Sequence, residues 1–222
     1  MELHTAGHRR GVVAAPHHAA VEAGRAALAE GGNALEAMVA MAATIAVVYP
    51  HMTQLGGDGF WLVREPSARV RALMAAGRAG ANARRELYRD YEAIPPRGAL
   101  AALTVPGAVA GWMLALEAAS AYGGRLRLGD LLAPAIAHAS GGTIVTRGQA
   151  RFTADRLAEL KDVPGFAPTF LLDGKPPDAG ATLKQAALAA TLTISPTPGS
   201  TISTAAMSVA RSPAISTAPA AR

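Results

Sequence analysis

The residues best able to do chemistry sit between Val47 and Val63, in "VVYPHMTQLGGDGFWLV". His51 and Asp58 flank a loop that also holds Gly56, Gly57 and Gly59, and an aromatic β-like run follows at once. Such a segment could cradle a phosphate, hold a metal, or form a turn where two backbones come close. A phosphate cradle needs a glycine-rich turn that opens a helix and carries a lysine. This loop leads into a strand-like run and carries Asp58 instead, which argues against nucleotide binding. A metal would need His17, His18, His51, Asp58 or His138 to converge. His17 and His18 are neighbours on a predicted helix and point in different directions, so capping and loop hydrogen bonds suit these histidines better. We expect no metal. Thr143, in "SGGTIV", has the form of a threonine nucleophile released by self-cleavage, with its own freed amine as base. A Gly-Gly pair between two helices is also an ordinary helix stop, and the spacing favours that. Arg78, in "MAAGRAGANA", follows a predicted strand. A strand-end arginine can fork onto a carboxylate through two parallel bonds, or form a surface ion pair. From spacing alone the ion pair is favoured.

The elements that must position these residues are legible in the periodicity. Val12–Ala15 could be a short strand closed by Pro16. Apolar residues recur at helical spacing over 17–32, and Gly31-Gly32 supplies a stop. Asn33 is a good N-cap, with Glu36 three residues on as a capping box, and the helix it opens runs to Val48 before Pro50. The runs 60–65 and 69–76, joined by "PSA", predict an antiparallel hairpin. A mixed-charge helix is expected over 83–92, then helices within 104–124, 127–142 and 146–162. The segment 171–183 carries Asp-Gly and Pro-Pro turn signals and predicts a loop. Helices, a hairpin, then more helices point to a layered α/β arrangement rather than a run of βαβ units.

The chain has 222 residues, half of them apolar, enough for a sizeable core. It has no cysteine, so disulfides and thiolate metal sites are excluded. The net charge is +5, but the arginines are spread along the chain. Nucleic-acid binders cluster them on one element, so no nucleic-acid partner is expected. The N-terminus has no basic stretch followed by an apolar one, so we expect no signal peptide and a cytoplasmic location. The longest apolar run, 34–50, is short for a membrane span and carries Glu36, so it predicts a buried core helix and no membrane partner.

Taken together, three segments resemble the start of the γ-glutamyltransferase (γ-glutamyltranspeptidase) family. They are "GVVAAPHHAAVEAGRAALAEGGNALEAMVAMAATIAVVYPHMTQLGGDGFWLV", "TVPGAVAGWMLALEAASAYG" and "LLAPAIAHASGGTIVT". The resemblance runs from residue 11 to about 190, and the chain is identified as the N-terminal part of a large subunit. It implies an incomplete N-terminal-nucleophile hydrolase fold, a sandwich of two sheets between helical layers (αββα). Gly56, Gly57, Asp58 and Gly59 would form a structural loop near the active cleft. The implied chemistry is self-processing, after which a new N-terminal threonine attacks a γ-glutamyl carbonyl. No cofactor is implied. Partners are a γ-glutamyl small molecule and the small subunit or C-terminal half. Arg78 is the nearest match to the arginine that pairs with the substrate's α-carboxylate, displaced by two positions. The text also departs from the family at Thr53-Gln54-Leu55, at Asp58 in place of a glycine, and at "GRAG" in place of an arginine-acid stretch.

Residues 1–190 are therefore expected to form the family-like domain. From Thr191 to Arg222 the chain has no Asp, Glu or Lys and is rich in Ser, Thr and Pro. Back-translated with GC-rich codons and read one nucleotide earlier, 193–220 can spell a charged amphipathic sequence similar to the family's next element. The expectation is a frameshift near Thr193 and a disordered, low-complexity tail over 191–222. The nucleophile would lie beyond this chain, so the 222 residues alone are expected to be inactive. The alternative is a non-catalytic module that pairs with a separately encoded C-terminal half.

Overall fold

The computed structural model describes residues 11–80, 83–96, 100–101 and 104–194. In chain order the elements are α1 (His18–Ala29), α2 (Ala34–Val48), β1 (Gly59–Arg64), β2 (Val70–Ala75), a 3-10 turn (Arg85–Tyr88), α3 (Ala108–Ser120), α4 (Leu128–Gly141), β3 (Thr143–Ile144), α5 (Arg147–Leu160), α6 (Phe166–Phe170), β4 (Thr182–Leu183) and α7 (Ala186–Ile194). The described residues divide into two compact units, one within 11–54, 112–143 and 184–194, the other within 55–111 and 144–183.

The first unit is helical and centres on α2. Val39, Ala40, Ala43 and Val47 are fully buried, and so are Glu36 and Thr44. A helix covered nearly all round must be apolar nearly all round, which is why "ALEAMVAMAATIAVV" shows little amphipathic bias. One flank is taken by α1 through Ala19, Ala20, Ala23 and Ala27, small residues that allow close approach. At Gly24 an added Cβ would lie 2.5 Å from Met41 Sδ, so α1 leaves room there for a side chain of α2. Another flank is taken by α4, and α7 packs on α4 in turn. Among the described residues no helix is long and apolar enough to cross a membrane.

Hydrogen bonds tie this unit together at the start of α2. Asn33 Oδ1 accepts from the N–H groups of Leu35 and Glu36, and Glu36 Oε2 accepts from Asn33 N–H at 2.7 Å, completing the expected capping box. The same two side chains reach far along the chain. Asn33 Nδ2 donates to Ala119 O at 2.9 Å, and Glu36 Oε1 accepts from Leu126 N–H at 2.6 Å. At the other end of α2, Gln185 Nε2 donates to Val47 O at 2.8 Å, while Gln185 N–H donates to Ala139 O.

The second unit is built on the antiparallel hairpin of β1 and β2, paired from Gly59↔Ala75 to Arg64↔Val70. Its turn closes through Glu65 N–H to Arg69 O and Ala68 N–H to Glu65 O, with Ala68 at φ +66°. Glu65 is buried and pairs with Arg71 at 2.5 Å. Leu73 and Ala75 are buried, while Phe60 and Leu62 are 71% and 78% exposed on the opposite face beside exposed Met74. Further along, β3 pairs with β4, and Val145 extends the pairing through bonds with Gly180 and Ala181.

The structure departs from the sequence reading at several places. Val12–Ala15 enters no strand ladder. Over 83–92 only the short 3-10 turn forms, and none of its residues is buried. A helix needs an apolar face to dock, and "RELY" docks none. The pairing of β3 with β4, α6 and α7 were not anticipated. Helix α7 continues through Ile194, past the composition break at Thr191; the rest of the tail, 195–222, lies outside the described residues.

Two outcomes follow for stability. Glu36→Ala leaves the N–H groups of Asn33 and Leu126 without an acceptor and should cost about 2–4 kcal/mol by chemical denaturation. His17 caps α1 by accepting from Ala19 N–H at Nδ1, 3.2 Å away. Burial lowers its pKa below 6.5, with His18 and then His138 adding charge repulsion. The folded state therefore resists protonation. The stability from this cap is present above the unfolded-state pKa and is lost as pH falls from there through the lower folded value. His17→Asn keeps a capping oxygen without that titration, so it should flatten thermal stability against pH below about 6.5.

Candidate functional site

Three chain segments of the second unit meet at one place: the glycine loop, the end of β2 and the start of α3. Gly57 O accepts from the N–H groups of Gly107 and Ala108, at 3.0 and 2.9 Å. The first free donors of α3 are thus met by a loop carbonyl. Val105 N–H donates to Arg78 O at 2.8 Å, and Ala79 bridges Thr104 in antiparallel fashion. Asp58 Oδ1 accepts from Gly77 N–H at 3.1 Å.

The packing leaves no room for side chains at three glycines. A Cβ on Gly77 would fall 1.4 Å from Val105 O, and one on Gly107 would fall 2.0 Å from Ala75 O. At Gly111 it would stand 2.9 Å from both Ala75 Cβ and Trp61 Nε1. These glycines lie within "GRAG" and "VPGAVAG", outside the glycine loop where the sequence places the close approach. Their signal was available: a glycine inside a helical pattern, such as Gly111, is costly unless packing requires it.

Gly56 is exposed, and a side chain there would meet nothing within 4 Å. Gly57 supplies the carbonyl described above. Gly59 opens β1, and a Cβ added there would lie 3.4 Å from Ala108 Cα, at the edge of ordinary contact. Asp58 and Arg78 are both exposed, and among the described residues no carboxylate pairs with the Arg78 guanidinium. The structure brings Asp58 to the N–H of Gly77, the residue before Arg78. Thr143 is buried directly after α4, whose end is set by Gly142 at φ +102°. His17 stacks on His18 with ring centres 4.5 Å apart, and His51 lies against Tyr49 at 4.3 Å. Burial lowers the pKa of His51. Among the described residues no group of three or more His, Cys, Asp or Glu could hold a metal ion.

A model of the gamma-glutamyltranspeptidase family matches residues 20–199. The chain belongs to this family. It is 50% identical to the oxamate amidohydrolase proenzyme of Klebsiella pneumoniae over 183 residues, which cover 82% of this chain and 35% of that protein. It is 42% identical to the glutathione hydrolase-like YwrD proenzyme of Bacillus subtilis, covering 82% of this chain and 34% of that one. The chain thus spans about a third of the length of these curated relatives. The gamma-glutamyltranspeptidase of Helicobacter pylori superposes with a TM-score of 0.80 at 27% identity, over 88% of this chain and 56% of that one. The matched region is the N-terminal part of the large subunit, and the fold is that of an N-terminal-nucleophile hydrolase.

Within the second unit, then, an exposed arginine follows directly on a backbone junction that side chains cannot enter. Gly77→Ala and Gly107→Ala should each destabilise the protein by at least about 2 kcal/mol, since backbone oxygens cannot step aside. Gly56→Ala, with open space around it, should change stability by less than about 0.5 kcal/mol. Thermal melts of the three variants check the contrast.

Proposed function

We propose that this chain is the N-terminal part of the large subunit of an amide-cleaving enzyme that acts on γ-glutamyl compounds of the glutathione type. Family membership across residues 20–199 carries the reading. The nucleophile is a threonine at the new N-terminus of a small subunit, outside these 222 residues. Its freed amine takes the hydroxyl proton, and the oxygen attacks the amide carbon. Backbone N–H groups hold the oxyanion, the amine leaves with a proton, and an ester-linked acyl-enzyme remains. Water or an acceptor amine then releases the acyl group. Arg78 pairs with the donor's carboxylate. Its exposure supports that role, as does the lack of a carboxylate partner among the described residues.

One observation favours a second donor. Identity to the oxamate amidohydrolase, 50%, exceeds that to the glutathione hydrolase-like protein, 42%. Oxamate also carries a carboxylate beside a scissile amide, so an arginine serves either donor. The difference is distance: the carboxylate adjoins the amide carbon in oxamate and lies several bonds away in a γ-glutamyl group.

The isolated chain should release no amine from a γ-glutamyl anilide or from oxamate. Assembled with the complementary remainder, it should turn over one of the two. Arg78→Ala in that assembly should raise KM about 10- to 100-fold, the loss of a charge-assisted contact. Turnover by the chain alone, or an unchanged KM, would overturn the corresponding part of the reading.

A further inference from the structure

We propose that Asp58 is a positioning residue for Arg78, an inference that rests on Arg78 being the carboxylate-binding residue. The last ladder pair is Gly59↔Ala75, so Gly77 lies beyond the point where β1 can supply a backbone acceptor. Gly77 also cannot carry a side chain, because Val105 O occupies the place of its Cβ. Glycine backbone is permissive, and nothing of its own fixes this one. Asp58 supplies the missing restraint: its Oδ1 takes the Gly77 N–H and carries the ladder past the end of the strand.

On the other side of Arg78, its carbonyl accepts from Val105 N–H, and Ala79 bridges Thr104. The arginine backbone is thus held before and after, while its long side chain stays exposed. Asp58 spends its carboxylate on the backbone; among the described residues it forms no ion pair with Arg78. The guanidinium is left for an anionic ligand, and the direction in which it leaves the chain is set by Asp58 and Val105. Positioning matters because a misplaced binding group loses affinity even when its chemistry is intact.

The test uses the complete enzyme containing this chain, its Asp58→Ala, Asp58→Asn and Arg78→Ala variants, and the Asp58→Ala/Arg78→Ala double variant. Asp58→Ala should raise KM about three- to tenfold, the loss of one hydrogen bond, with kcat nearly unchanged. Asp58→Asn should recover most of that affinity, because its amide oxygen accepts the same bond. In the Arg78→Ala background, Asp58→Ala should add nothing. Hydrogen exchange at the Gly77 amide should speed up in Asp58→Ala and not in Asp58→Asn. If Arg78→Ala raises KM and Asp58→Ala does not, the positioning role is overturned and the arginine's role stands. If Asp58→Ala adds fully to Arg78→Ala, Asp58 acts by another route and the inference fails. An unchanged KM in Arg78→Ala removes the carboxylate-binding role and the positioning role together, while Gly77 exchange still reports the bond itself.

Discussion

At Gly77 and Gly107 two backbones meet with no space for a single carbon between them. The glycine loop, the end of β2 and the start of α3 are arranged around that constraint. Because Val105 O fills the Cβ position of Gly77, the segment before α3 can run beside the end of β2 and continue its pairing at Ala79 and Thr104. Because Ala75 O fills the Cβ position of Gly107, α3 can begin directly against the hairpin, with Gly57 O meeting its first donors. Arg78 takes its place from these contacts.

The first unit is organised differently. Its junction is made by side chains, and both come from one short motif. Asn33 and Glu36 cap their own helix and also bind Ala119 O and Leu126 N–H, near the end of α3 and the start of α4. A buried carboxylate is tolerated there because two short N–H bonds meet its charge. Helix α5 shows what happens when such a box is left half made. Thr146 accepts from Gln149 N–H, but the Gln149 side chain is buried with neither of its polar atoms bonded.

Local signals carried much of this. Asn33-x-x-Glu36, the Gly-Gly stops and the alternating runs 60–65 and 69–76 each state their structure within a few residues, and the structure follows them. Over 83–92 the pattern had charge but no face to bury, and tertiary packing never rewarded a helix there. Helix α7 was obscured because the change in composition at Thr191 reads as the end of order, while its register against α4 depends on contacts distant in sequence. The place of Arg78 directly after a strand was legible, and the structure puts it there. Two of the departures from the family pattern, Asp58 and "GRAG", were visible too. That one hydrogen bond joins them was not, because it spans the whole hairpin.

The two helix starts also differ in when they can form. The cap of α2 is assembled from four consecutive residues and needs no other part of the chain. The cap of α3 is a carbonyl about 50 residues upstream, reached only after the hairpin and the segment beyond it have closed a loop. Helix α2 therefore carries its own local cap, whereas the first turn of α3 is capped only where a long-range contact closes. The backbone of Arg78 depends on that same junction, so the part of the chain read as binding substrate is held through contacts distant in sequence.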